Sequence, residues 1–102
     1  SGLSPEEIER LILEAETSVE RDKEERELIL LRNKVESMIK TARKAMAEFG
    51  RSFPLEEQQA INGTLNSAED DLNEAGKDEL TALVTKVEET AAKITEAMLA
   101  AV

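Results

Sequence analysis

The chain has 102 residues, 13 Lys and Arg against 23 Asp and Glu for a formal charge of −10, and no Cys, His, Trp or Tyr. That excludes disulfides, zinc sites built on thiolate or imidazole, cysteine nucleophiles and every His-based triad or general base. A pI near 4.5 and only two aromatic residues, Phe49 and Phe53, argue against phosphate-backbone binding and base stacking. No apolar run approaches the ~18 residues needed to cross a bilayer. The expectation is a single small soluble domain, cytoplasmic and acting by contact. It would have no bound cofactor, no metal, no nucleic-acid or membrane partner and no catalysis of its own.

In chain order, Ser4-Pro5-Glu6-Glu7 reads as a helix start. Ser4 can cap, Pro5 occupies the first helical position, where an N–H is not needed, and Glu7 stands at the capping-box position. Gly50 ends the long helical stretch that follows, and Pro54 opens the next helix with Glu56 and Glu57 in its first turn, where the helix dipole favours anions. Asn73 to Gly76 forms a second break, after which Asp78 and Glu79 again sit in a first turn. No alternating strand pattern of useful length occurs.

The apolar spacing predicts three seams. Leu28, Leu31, Val35, Met38, Ala42, Ala45 and Phe49 step regularly by 3 and 4. So do Ile61, Leu65, Ala68, Leu72 and Ala75, and then Leu80, Val84, Val87, Ala91, Ile94, Met98 and Ala101. Seams of this kind joined by short loops predict an all-α antiparallel three-helix bundle over 28–102. A long parallel coiled coil competes, but the breaks at 50–54 and 73–76 are too clean for it. Gly63, inside the second helix, reads as a small-residue packing contact. Residues 28–50 carry five positive and two negative charges and residues 51–76 one positive and six negative, so neighbouring helices attract weakly.

Residues 4–27 overhang that bundle. At about 1.5 Å per residue, a helix over 54–74 is roughly 31 Å long and covers the preceding helix back only to about residue 29. Residues 20–27 contain no apolar side chain and read as a solvated segment laced with i,i+4 ion pairs, or as a polar span. Ile8, Leu11, Ile12, Ala15 and Val19 instead form an amphipathic stripe. It serves either as the core of its own domain or as a docking face for a partner outside this chain, since the bundle has no surface left to cover it. Adjacent carboxylates such as Asp70-Asp71 and Glu88-Glu89 diverge by about 100° on a helix and do not converge on one substrate atom.

On these residues the chain resembles the C-terminal helical lid of the substrate-binding domain of the 70-kDa heat-shock chaperones, bacterial DnaK type. The resemblance runs over nearly the whole length. It rests on Gly2-Leu3-Ser4-Pro5-Glu6-Glu7-Ile8-Glu9-Arg10, Ala15-Glu16, Glu20-Arg21-Asp22-Lys23, Leu31-Arg32-Asn33, Thr41-Ala42-Arg43-Lys44 and Phe53-Pro54. The last 45 residues match mainly in pattern.

The resemblance implies a fragment of a larger stress-response chaperone, with a docking helix over 4–17, an arching helix over 18–49 and the rest of the bundle beyond. It would close over peptide held in a separate β-sandwich and slow its release. ATP and Mg would bind an N-terminal domain outside this chain. Unfolded clients, J-domain proteins and nucleotide-exchange factors would be met through the parent protein. An isolated copy would fray over the stripe or self-associate to cover it.

By the same resemblance Glu36 takes the place of an acidic latch to a sandwich loop, Lys40 that of a second latch often occupied by His, and Asp22 a further acidic position facing the sandwich. Arg32, Asn33 and Lys34 fall where some relatives bend this helix. A Lys at position 40 does not switch near neutral pH as a His can. Each of these charges is otherwise an ordinary solvated side chain. No Glu-Glu-Val-Asp end is present, so co-chaperone capture by that route is not implied. The rival reading is a stand-alone acidic bundle adaptor, which requires residues 4–19 to pack on their own bundle.

Overall fold

A computed structural model describes residues 2–102 as three α-helices with no strand among the described residues: α1 (Pro5–Phe49), α2 (Leu55–Leu72) and α3 (Lys77–Ala100), with a 3₁₀ turn at Gly50–Ser52. The molecule measures 78 × 20 × 16 Å. That shape follows from α1, whose 45 residues extend about 67 Å, far beyond its two partners.

The start of α1 forms as its residues dictate. Ser4 Oγ accepts the Glu7 N–H at 3.2 Å, and Pro5 stands in the first turn. From there the helix runs to Phe49 without interruption. The boundary implied between a docking helix (4–17) and an arching helix (18–49) is therefore not present in this structure. No Gly or Pro interrupts residues 6–49, so nothing local releases a backbone hydrogen bond. The helix is likewise continuous through Arg32, Asn33 and Lys34.

At its far end Ser52 Oγ donates to the Phe49 carbonyl at 2.7 Å, and Gln58 Nε2 donates to the Phe53 carbonyl at 2.8 Å. Gly50 has ordinary right-handed backbone and is buried; a Cβ there would meet the Met46 side chain at 3.2 Å. Neither turn geometry nor a rigid neighbour demands glycine there, since the contact is with the movable end of the Met46 side chain. The turn swings Phe53 into the core and leaves Phe49 outside, the reverse of the seam expected from spacing.

The core runs through Val35, Ile39 and Ala42 of α1, Phe53, then Ile61, Leu65, Ala68, Leu72 and Ala75, and Leu80, Val84, Val87 and Ile94 of α3. Two corrections to the seams concern register. On α1 the buried series is Val35, Ile39, Ala42, while Met38 is only partly covered, because the inward face is rotated by about 40° from the one that the 3-and-4 spacing defines. On α3 Thr90 is buried and Ala91 exposed; Thr90 Oγ is satisfied by donating to the Lys86 carbonyl at 2.9 Å. Leu28 and Leu31, expected as core, are half-buried at the foot of the bundle, and Ala101 is exposed. Gly63 makes no close packing contact: it is exposed, with nothing within 4 Å of the position its Cβ would take.

Three polar ties fix how the helices lie. Arg43 Nε donates to Glu69 Oε1 at 2.6 Å and its Nη2 to Asn66 Oδ1 at 2.7 Å. Arg32 Nε and Nη2 donate to the carbonyls of Leu72 and Ala75 at 3.2 and 3.3 Å. Lys77 Nζ meets Glu27 Oε2 at 3.1 Å. Residues 32 and 43 thus lie opposite 72–75 and 66–69, which makes α1 and α2 antiparallel, and α3 returns alongside α1 from Glu27 toward Ala45. Among the described residues no helix is long and apolar enough to cross a membrane.

Candidate functional site

The side chains left over by this packing lie on α1. With about 100° of rotation per residue, Val35, Ile39 and Ala42 define the inward face. Ile8, Leu11, Ile12, Ala15 and Val19 fall in a sector about 100° wide on nearly the opposite side of the same helix. All five are exposed, the four large side chains from Ile8 at 45% to Val19 at 63%. They are not packed on the bundle, whose hydrogen bonds and ion pairs to α1 begin at Glu27.

The outward sector continues past the stripe. Asp22 and Arg26 lie on it, then Ile29 and Leu30, then Asn33, Glu36 and Lys40, so that one face about 48 Å long carries every residue singled out for docking or latching. Ile29 and Leu30 were missed by sequence reasoning and are 53% and 68% exposed. The signal was present: Leu28-Ile29-Leu30-Leu31 is four apolar residues in a row, which span about 300° of helix and cannot all enter one core.

Glu36 and Lys40 are brought together by the helix itself. Lys40 Nζ lies 3.3 Å from Glu36 Oε1, one turn apart, with both side chains well exposed. Asp22 is exposed and has no ion-pair partner among the described residues. Of the three residues at the bend position, Asn33 and Lys34 are exposed and Arg32 is held against the end of α2. The ladder of i,i+4 pairs expected over 20–27 does not form; Glu27 alone of that segment is ion-paired, to Lys77 across the helix interface.

Electrostatics differ between the two ends of α1. Residues 5–27 carry ten carboxylates and four cations, and this half is solvated. In the bundled half the hydrogen bond from Lys77, with its positive charge, holds the Glu27 carboxyl below the usual range, and the same contact raises Lys77. Arg43 lowers Glu69 by its hydrogen bond, against a smaller opposing effect of burial. Among the described residues no group of three Asp or Glu side chains is arranged to hold a metal ion. A groove of about 760 Å³ between the start of α2 and the end of α3 is lined by Ala60, Ala97, Ala100 and Ala101, with Glu56, Glu57, Glu96 and Lys93 around it. Its walls mix alanine methyl groups with exposed charged side chains. The arrangement suits contact along α1. In comparison with known proteins, the family model described as Hsp70 protein matches residues 1–100.

Proposed function

The chain belongs to the Hsp70 family, and from that premise we propose that it is the helical lid of a DnaK-type chaperone, which closes over peptide bound in a β-sandwich outside this chain and slows its release. The observation that carries this reading is the uncovered apolar stripe on the face of α1 turned away from the bundle. A stand-alone adaptor would pack residues 4–19 on its own helices, and here every apolar side chain from Ile8 to Val19 is exposed. Burying an Ile or Leu side chain is worth about 1.5–3 kcal/mol, so the stripe favours a docked state strongly once a matching surface is offered.

In this mechanism the stripe seats against the flank of the sandwich, the polar span over 20–27 bridges the rim, and the bundle stands over the bound peptide. Release slows because the exit path is blocked, not because the lid grips the peptide. Glu36 and Lys40 would latch to sandwich loops by exchanging their mutual ion pair for partners on the loops. An exposed pair contributes only ~0.2–1 kcal/mol, so that exchange is close to balanced. Small changes elsewhere in the protein can then shift the lid between docked and open populations. The chain itself performs no catalysis in this reading; ATP and Mg act on a separate domain, and clients and co-chaperones are engaged through the parent chaperone.

The test is to remove this segment from its complete chaperone and follow dissociation of a fluorescent extended apolar peptide. Release should accelerate while the groove still binds. An unchanged release rate would refute the lid role, as would submicromolar binding of the peptide by the isolated 102-residue chain.

A further inference from the structure

Charge along the edges of the stripe says what kind of surface it fits. Over residues 7–20 the charged side chains are Glu7, Glu9, Arg10, Glu14, Glu16 and Glu20. On the helix, Glu7 and Glu14 lie within about 60° of one edge of the apolar sector, and Glu9 and Glu16 within about 60° of the other. Arg10, the one cation in this span, sits about 100° beyond the sector, toward the back of the helix. Over residues 7–20 the stripe is therefore bordered on both sides by carboxylates, and the nearest cations on its face are Lys23 and Arg26, one and two turns past Val19.

We propose that the stripe docks into an apolar trough whose two lips carry Lys or Arg side chains, and that these lips, paired with Glu9, Glu14 and Glu16, set its orientation and its rate of docking. The proposal rests on the lid reading and adds to it the chemistry of the partner surface. Complementary charge at the rim of an apolar contact steers the encounter and rejects wrong partners. A second copy of the chain fits poorly, because pairing two stripes sets carboxylate margin against carboxylate margin. Anionic membrane surfaces and nucleic acids are repelled for the same reason.

The experiment titrates the 102-residue chain with the peptide-binding β-sandwich of an Hsp70-family chaperone, prepared without its own helical segment, at about 50 and about 500 mM NaCl, which shortens the screening length severalfold. Affinity should fall at least about tenfold at the higher salt. A Glu9→Gln, Glu14→Gln, Glu16→Gln variant should bind about fivefold or more weakly at low salt and lose most of the salt dependence, while Arg10→Gln stays within about twofold of wild type. Ile12→Ser should weaken binding at both salt concentrations.

Binding that ignores salt and the triple substitution but is lost in Ile12→Ser would overturn the charged-lip proposal and leave the lid reading standing. No binding by the wild-type chain at either salt would remove both. Self-association of the wild-type chain at low salt, seen by sedimentation, would give the stripe to a second copy and overturn the proposal.

Discussion

Arg32 on α1 donates its Nε to the carbonyl of Leu72, 40 residues further along the chain, at 3.2 Å, and its Nη2 to the carbonyl of Ala75 at 3.3 Å. The last turn of α2 has no basic residue of its own, so α1 supplies from outside the donors that a helix C-terminus lacks. Replacing Arg32 with Leu should destabilise the bundle by about 1.5–3 kcal/mol, read as a lower Tm. Lys should recover only part of the loss, because an ammonium cannot reproduce the fork of the guanidinium.

The ion pairs predict a specific pH response. Glu27 and Glu69 titrate lower in the folded state than in the unfolded chain. Their contribution is therefore complete above about pH 4.5 and is lost as pH falls through the lowered folded values. Lys77 is raised, so its contribution is complete below about pH 10 and is lost only as pH rises through a folded value above that. The Tm difference between wild type and a Glu27→Gln, Glu69→Gln variant should be constant from about pH 5 to 9 and shrink toward zero near pH 3. A constant difference across the acid range would contradict the pairing.

Gly63 lies exposed inside α2 with open space around its Cβ position. Gly63→Ala should stabilise the chain by about 0.5–1 kcal/mol through helix propensity and a less flexible unfolded state. Calorimetry or urea unfolding would show it, and a loss of stability would mean the site is packed after all.

Core and outward positions should separate sharply. Leu65 and Leu80 are fully buried, and truncation of either to Ala should cost about 2–5 kcal/mol, a fall in Tm of roughly 10 °C or more. Ile12→Ser and Leu30→Ser, on exposed positions of α1, should change stability by no more than about 0.5 kcal/mol. A large loss from either would place the stripe inside a fold that the present geometry does not contain.

In a complete chaperone, Glu36→Ala should speed peptide dissociation and leave ATP hydrolysis without peptide nearly unchanged. Lys40→Ala removes the second latch but also frees Glu36 from its pairing on the free helix, so it should speed release less than Glu36→Ala does. Release rates identical to wild type for Glu36→Ala would refute the latch assignment.

Much of the architecture was legible because three signals agreed: breakers at Gly50–Pro54 and Asn73–Gly76, seams of fixed spacing, and acids in first turns. The errors came where spacing has near-degenerate solutions. Met38 and Ile39 are adjacent, as are Thr90 and Ala91, and a rotation of a few tens of degrees decides which of each pair is buried. Thr90 also reads as polar in sequence, although within a helix its hydroxyl can be satisfied by the preceding turn. Phe53 was hidden in a connection, since nothing in Gly50–Ser52 tells how far the turn folds back. On the outward face, the stripe was visible as amphipathic spacing, whereas Ile29 and Leu30 were masked by the core residues on either side of them. The self-pairing of Glu36 with Lys40 needed only their four-residue separation to be noticed. Arg32 was not legible as a cap, because its partners are backbone atoms 40 and 43 positions away.

The uninterrupted backbone of α1 has a mechanical consequence. Because the stripe and the bundle share one rod about 67 Å long, any tilt at the N-terminal end is magnified at the other: about 5° there swings the Phe49 end by roughly 6 Å. For the lid role proposed above, opening or shutting would then need no flexible joint inside the rod, only a slight rocking at its seat.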